Sequence, residues 1–136
     1  MKLSMYKRGF TLIELIIVIA IIGTLITMII PRYIELRGDA EDAARDGVAG
    51  SVVAGIAIFH AKQITTGQFP VWPSMLDNAP DGPCSVCFTN VLDNPLEDRR
   101  WSKENYTYTY TTSTGATMTF NYDPATGEFL PIVSNP

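Results

Sequence analysis

An apolar run of 21 residues, Phe10 to Ile30, constrains this chain more than any other feature. In "FTLIELIIVIAIIGTLITMII" the one ionisable side chain is Glu14, and every residue from Leu15 to Ile30 is apolar, Gly or Thr. As a helix rising ~1.5 Å per residue the run spans roughly 30 Å, the thickness of a bilayer's hydrocarbon core. A helix satisfies its own backbone donors and acceptors, so it can enter lipid. The chain has 136 residues, room for one domain and little more. Its 46% hydrophobic content is ordinary, but the concentration of that content near the N-terminus is not.

Charge is distributed unevenly. Lys2, Lys7 and Arg8 precede the apolar run, which predicts a cytoplasmic N-terminus and an exported remainder. Taking those three from the ten basic residues leaves seven against fourteen acidic ones, and nothing in that balance suggests a nucleic-acid binder. A cleaved secretory signal has an apolar core of about 7–15 residues followed by a small-x-small site. Here the run is longer, and "ITMIIPRY" at its far end offers no such site. A plain membrane anchor explains the length and the cations but not Glu14. An acid at that depth costs roughly 2.5–3.5 kcal/mol on insertion scales and marks a functional position.

Cleavage on the other side of the run, between Gly9 and Phe10, supplies a partner for that acid. Gly9 is small and permissive, suited to close approach by a protease. Cutting there makes Phe10 a new N-terminus with a positive amine, and Glu14 lies one helical turn further on. Buried charges need partners. The spacing therefore predicts that Glu14 pairs with the Phe10 amine, within one chain or between chains staggered by about one turn.

The stretch "RGFTLIELIIVIAIIGTLITMIIPRY" resembles the N-terminus of type IV pilins and of type II secretion pseudopilins. The resemblance covers about 30 residues. It implies that a prepilin peptidase cuts after Gly9 and N-methylates Phe10, that Glu14 is the assembly glutamate, and that Pro31 is the helix-softening proline. The ending "FNYDPATGEF" is loosely similar to mannose-sensitive-haemagglutinin-type pilins.

Beyond Pro31, which should kink or loosen the helix, the apolar pattern resumes. Tyr33, Leu36, Ala40, Ala43, Ala44, Gly47, Val48, Ser51, Val52, Gly55, Ile56 and Phe59 recur at helical spacing. This predicts an amphipathic continuation to about Thr65, closed by Gly67. The whole helix would be roughly 80 Å long, more than a domain of this size can cover. A small-sided stripe of Ala43, Ala44, Gly47, Ser51, Ala54 and Gly55 suits a tight contact with a sheet. His60, without companion ligands, reads as a half-exposed helix residue.

Residues 68–100 are loop-dominated, with a short helix expected near Ser74–Asn78 and a short strand near Val86–Val91. The period then changes to two. "YTYTYTT" sets Tyr106, Tyr108 and Tyr110 on one face, and "ATMTFNY" repeats the alternation with Met118, Phe120 and Tyr122. "STG" and "DPATG" read as hairpin turns, and "EFLPIV" as an edge strand because of Pro131. The expectation is three antiparallel strands over residues 105–134.

Cys84 and Cys87 form a C-x-x-C with no βαβ unit around it, so a local disulfide is the reading. Many type IV pilins close a longer C-terminal loop with their disulfide, whereas here both cysteines precede the sheet. Asp93, Asn94, Glu97 and Asp98 in "LDNPLED" offer oxygen ligands of the kind calcium takes, though the spacing matches no strict motif.

Together these features predict an α+β, pilin-like chain. It comprises a basic leader (1–9), a membrane-spanning helix (10–30), an amphipathic continuation (31–66) and a head (67–136). No catalytic constellation or cofactor site is evident. The implied function is that of a structural subunit, with copies of itself, a prepilin peptidase, an inner-membrane assembly platform and, before assembly, the lipid bilayer as partners. A secretion pseudopilin, and a membrane-anchored periplasmic binding or redox module using the C-x-x-C, are the alternatives.

Overall fold

A computed structural model describes residues 9–132. Residues 1–8 of the expected leader (1–9) and the expected strand end at 133–134 lie outside the described residues. One helix, α1, runs from Leu12 to Thr66 without interruption, Pro31 included. It ends where the sequence places its stop. Gly67 adopts φ 65°, the Gln68 N–H donates to the Gln63 carbonyl (3.0 Å), and the Gly67 N–H donates to that of Ile64 (3.3 Å). These are the paired bonds of a Schellman cap, which needs a residue free to turn left-handed.

The chain divides into two units, one ending at Asp39 and the other beginning at Ala40. In the first, every residue from Phe10 to Asp39 is exposed.

The second unit holds a five-stranded antiparallel meander in sequence order: β1 (Gly82–Pro83), β2 (Trp101–Glu104), β3 (Thr107–Thr111), β4 (Thr117–Asp123) and β5 (Glu128–Ile132). The inner face follows the alternation read from the sequence. Trp101 stands opposite Tyr110 and Tyr110 opposite Met118, while Lys103, Tyr108 and Phe120 form the next row. β5 is an edge strand, as Pro131 requires. The hairpin turns fall at Ser113–Gly115, with Gly115 at φ 87°, and before Gly127, at φ 74°.

Several expectations are corrected. Among the described residues the sheet has five strands rather than three. β2 escapes the sequence because its inward side chains are Trp101 and Lys103, and a lysine reads as outward. Tyr106 is not in a strand but in the two-residue turn with Asn105 (φ 54°), where it is exposed. No helix forms at Ser74–Asn78. Prolines flank the segment, and the Asp77 carboxylate bonds the Ala79 N–H (3.1 Å), a turn that competes with helix. No strand forms at Val86–Val91. Phe88 sits at φ 62°, and its carbonyl accepts the N–H groups of Val91 and Leu92, leaving only an isolated bridge from Cys87 to Leu96.

Of the expected helix row within the second unit, Val48, Val52, Gly55, Ile56 and Phe59 are buried or half-buried, but the small-sided stripe is not the packed face. Ala43, Ala44, Gly47, Ser51 and Ala54 are exposed, and the buried or half-buried row is Glu41, Arg45, Val48, Val52, Gly55, Ile56 and Phe59. Both rows recur at helical spacing, so periodicity alone does not choose between them. Gly55 alone belongs to both, and it meets a loop rather than the sheet. A Cβ there would collide with the Val91 carbonyl oxygen and fall 2.9 Å from its carbon. Backbone cannot yield as a flexible side chain can. Gly55→Ala is expected to destabilise the head by about 1–3 kcal/mol, read as a lower urea midpoint in tryptophan fluorescence, whereas Gly47→Ala, with open space around its Cβ, leaves the midpoint unchanged or raised.

Candidate assembly site and the core of the head

The residues singled out at the N-terminus come together around Thr11. Gly9, Phe10 and Thr11 precede the helix, and Phe10 is 89% exposed. The Thr11 carbonyl accepts the first helical bond, from the Leu15 N–H (3.3 Å). Its hydroxyl accepts from the Glu14 N–H (3.3 Å) and donates to Glu14 Oε2 (2.9 Å), and the same Oε2 accepts the Thr11 N–H (3.0 Å). This is a capping box, Thr-x-x-Glu, in which two backbone donors left over at a helix start are satisfied reciprocally. The sequence reading missed this cap, although "TLIE" carries its Thr-x-x-Glu signal. Glu14 therefore has a partner inside its own chain, and its charge lies at the positive end of the helix dipole.

Past the cap, the helix exposes its apolar side chains on every side. Among the large hydrophobics from Leu12 to Leu36 the lowest exposure is that of Val18, at 46%. Thr24 and Thr27 turn their hydroxyls back onto the carbonyls of Ile21 (2.8 Å) and Thr24 (2.7 Å), so they present no unmet donor to an apolar surrounding. The helix is long and apolar enough to cross a membrane.

The head is organised around an ion pair that the sequence reading missed. Lys103 Nζ donates to Asp77 Oδ1 (2.6 Å) and to the Ala79 carbonyl (2.7 Å). Asp77 Oδ2 accepts the Phe88 N–H (3.0 Å) and the Tyr108 hydroxyl (2.9 Å). Both charged side chains are almost completely buried. Such a pair persists only when its remaining lone pairs and protons are also met, and removing one member typically costs about 3–5 kcal/mol. Asp77 thus ties the loop to β2 and β3, and its bond to the Phe88 N–H helps hold that residue in its left-handed conformation. Around it pack Trp101, Phe88, Tyr108, Phe120 and Phe129, with Phe120 and Phe129 stacked at 5.2 Å.

Cys84 and Cys87 are joined in a disulfide, and both are 1% exposed. The bond closes a short loop beside β2, to which the Cys84 N–H is also bonded through the Trp101 carbonyl (2.8 Å). Burial and the absence of a βαβ setting give no exposed thiol pair for exchange. The calcium candidates are not gathered into a site. Asp98 is engaged by Arg100 (2.8 Å), and among the described residues no group of three or more His, Cys, Asp or Glu side chains is placed to hold a metal. His60 is half-buried. Its imidazole stacks on Trp72 with ring centres 3.6 Å apart, and Nδ1 lies 3.0 Å from the Val71 carbonyl, so that nitrogen carries the proton.

Residues 4–30 match the prokaryotic N-terminal methylation motif. In that segment the chain is similar to type IV pilins. Proteins named as pilus or fimbrial subunits match part of the chain. PilA5, the type IV narrow pilus major component of Thermus thermophilus, is 45% identical over 64 residues, 46% of this chain and 55% of that protein. Fimbrial protein EcpC of Eikenella corrodens is 34% identical over 80 residues, 59% of this chain and 47% of its own. A fimbrial protein of Pseudomonas aeruginosa is 39% identical over 66 residues, 47% and 43% of the two chains. This chain spans about half the length of these curated relatives. No solved structure gives a significant match. The α+β arrangement, a long apolar helix with an antiparallel sheet, is that expected of a pilin.

Tyrosines give the head a pH limit. Tyr122 donates to the Pro73 carbonyl (2.6 Å); burial first, then the nearby Asp123 and Tyr106, push its pKa up to about 12. Tyr108 shifts in the same direction, by burial and by the Asp77 carboxylate. A raised folded-state pKa means these groups contribute fully below the unfolded value of about 10 and lose their contribution as pH rises through the folded value. The head should keep its stability to pH 10 and lose it progressively between about 10 and 12, and Tyr122→Phe should flatten that loss while lowering stability at neutral pH, both read by denaturant midpoints against pH.

Proposed function

We propose that this chain is a structural subunit of a type IV pilus-like filament. Before assembly it is held in the bacterial inner membrane, with its N-terminus cytoplasmic and its head exported. A prepilin peptidase cuts between Gly9 and Phe10 and N-methylates Phe10, and an inner-membrane platform then extracts the chain into a filament of its own copies. The observation that carries this reading is the uncovered apolar helix beginning at a pilin-type processing segment. Lipid covers such a helix first, and other copies of the same helix cover it afterwards. Heterologous, head-to-tail contacts that do not close into a ring give filaments.

Glu14 sets the register in this mechanism. Two of its contacts go to Oε2, and an ionised carboxylate has about four acceptor positions. The cap and an incoming Phe10 amine are therefore compatible on one side chain. The names of the relatives, a pilus major component and fimbrial proteins, favour a surface pilus over a secretion pseudopilus. The buried disulfide offers nothing to the redox alternative.

The test is shearing of cells that produce the chain. Wild type is expected in the sheared fraction as long fibres visible by electron microscopy. Glu14→Leu, in which the Thr11 hydroxyl can still cap the backbone N–H of residue 14, should still be processed after Gly9 and remain in the membrane, with fibre yield reduced at least tenfold. Normal fibres from Glu14→Leu would remove the register role, and absence of the wild-type chain from any fibre would remove the proposed function.

A further inference from the structure

We propose that Thr11 is a positioning residue for leader processing: its capping box stops the helix two residues short of the Gly9–Phe10 bond and so keeps that bond in open chain. The inference rests on the processing step proposed above and adds a determinant to it.

The argument starts from where the helix would begin without Thr11. Upstream of Leu12 the next residue suited to end a helix is Gly9, which ranks with Thr as an N-cap. If Gly9 capped the helix, Phe10 and Thr11 would become its first two helical residues. The Gly9–Phe10 peptide would then form part of the first turn. A protease needs backbone it can approach and hold, and cleavage concentrates in segments outside regular structure. The observed arrangement keeps the two states apart. Thr11 has non-helical backbone, its hydroxyl satisfies the Glu14 N–H, and its own N–H is held by Glu14 Oε2. Gly9 and Phe10 accordingly lie outside the helix, with Phe10 89% exposed.

The cap also explains why the bond can be open at the edge of so strongly helical a segment. Leu12 to Ile30 would propagate helix in both directions wherever lipid excludes water, since unsatisfied backbone groups cost most there. A stop is needed on the side where the protease works. A hydroxyl and a carboxylate three residues apart supply one without interrupting the apolar surface. Thr11 acts through the backbone of the scissile segment and forms no part of the protease's catalytic machinery.

Loss of the cap lowers the fraction of chains in the cleavable form, and a reduced competent fraction appears as weaker apparent binding. The experiment uses the full-length precursor in detergent with a prepilin peptidase, following the N-terminus by intact mass at varied substrate concentration. Thr11→Val keeps the shape of the side chain and removes the hydroxyl. It should be cut at the same bond with KM raised about fivefold and kcat unchanged. Thr11→Ser and Thr11→Asn restore a capping atom and should return KM to the wild-type value. Trp72 and Trp101 fluorescence reports that the head remains folded in each variant. A wild-type KM for Thr11→Val, or a KM for Thr11→Ser and Thr11→Asn as high as that of Thr11→Val, overturns the proposal. A wild-type precursor left uncut between Gly9 and Phe10 overturns instead the processing step on which it rests.

Discussion

From Phe10 to Ile30 this chain presents apolar side chains in all directions and buries none of them. Covering one Leu or Ile side chain is worth about 1.5–3 kcal/mol, so a surface of this size cannot remain in water. In the proposed function lipid and then other copies of the same helix surround it, and both surroundings must be acceptable. The segment meets that need by having no fixed apolar face. The threonines within it bond back to their own helix and stay neutral in either setting.

A single acid in such a segment would be costly if it had no partner. The capping box removes most of the difficulty before any second chain arrives, because Glu14 takes the Thr11 N–H and hydroxyl at the positive end of the helix. In the proposed mechanism its remaining acceptor capacity is then available to a newly made amine. The same four residues, Thr11 to Glu14, thus fix where the helix starts, hold the acid, and in the proposed mechanism leave the scissile bond outside.

The sequence was most informative where one periodicity met one physical requirement. The apolar run, Gly67 as the helix stop, the alternation of Tyr108 and Tyr110 with Thr109, and Pro131 at an edge all appear where the pattern places them. It was least informative where a polar side chain does the work of a core residue. Lys103 and Asp77 are buried because they satisfy each other, and nothing local in "WSKE" or "MLDN" reveals a partner 26 positions away. Glu41 is a similar case: it faces inward and accepts the Ser113 N–H (3.0 Å), a tie between helix and hairpin separated by 72 positions. The small-residue stripe misled for the opposite reason. Two helical rows fit the same period, and the row with bulk, Val48, Val52 and Ile56, takes the interior.

The matches to relatives take in about half of this chain and about half of theirs, and the head is built on a core of its own. In the present head that core is an aromatic cluster centred on a buried ion pair, with a short disulfide beside it. The most direct test of the account is the N-terminal residue of the protein recovered from extracellular fibres, determined by intact mass and sequencing. The account predicts a chain beginning at N-methylated Phe10. Fibres whose subunits still carry the residues before Phe10 would contradict it, since the amine that completes the partnering of Glu14 would never have formed.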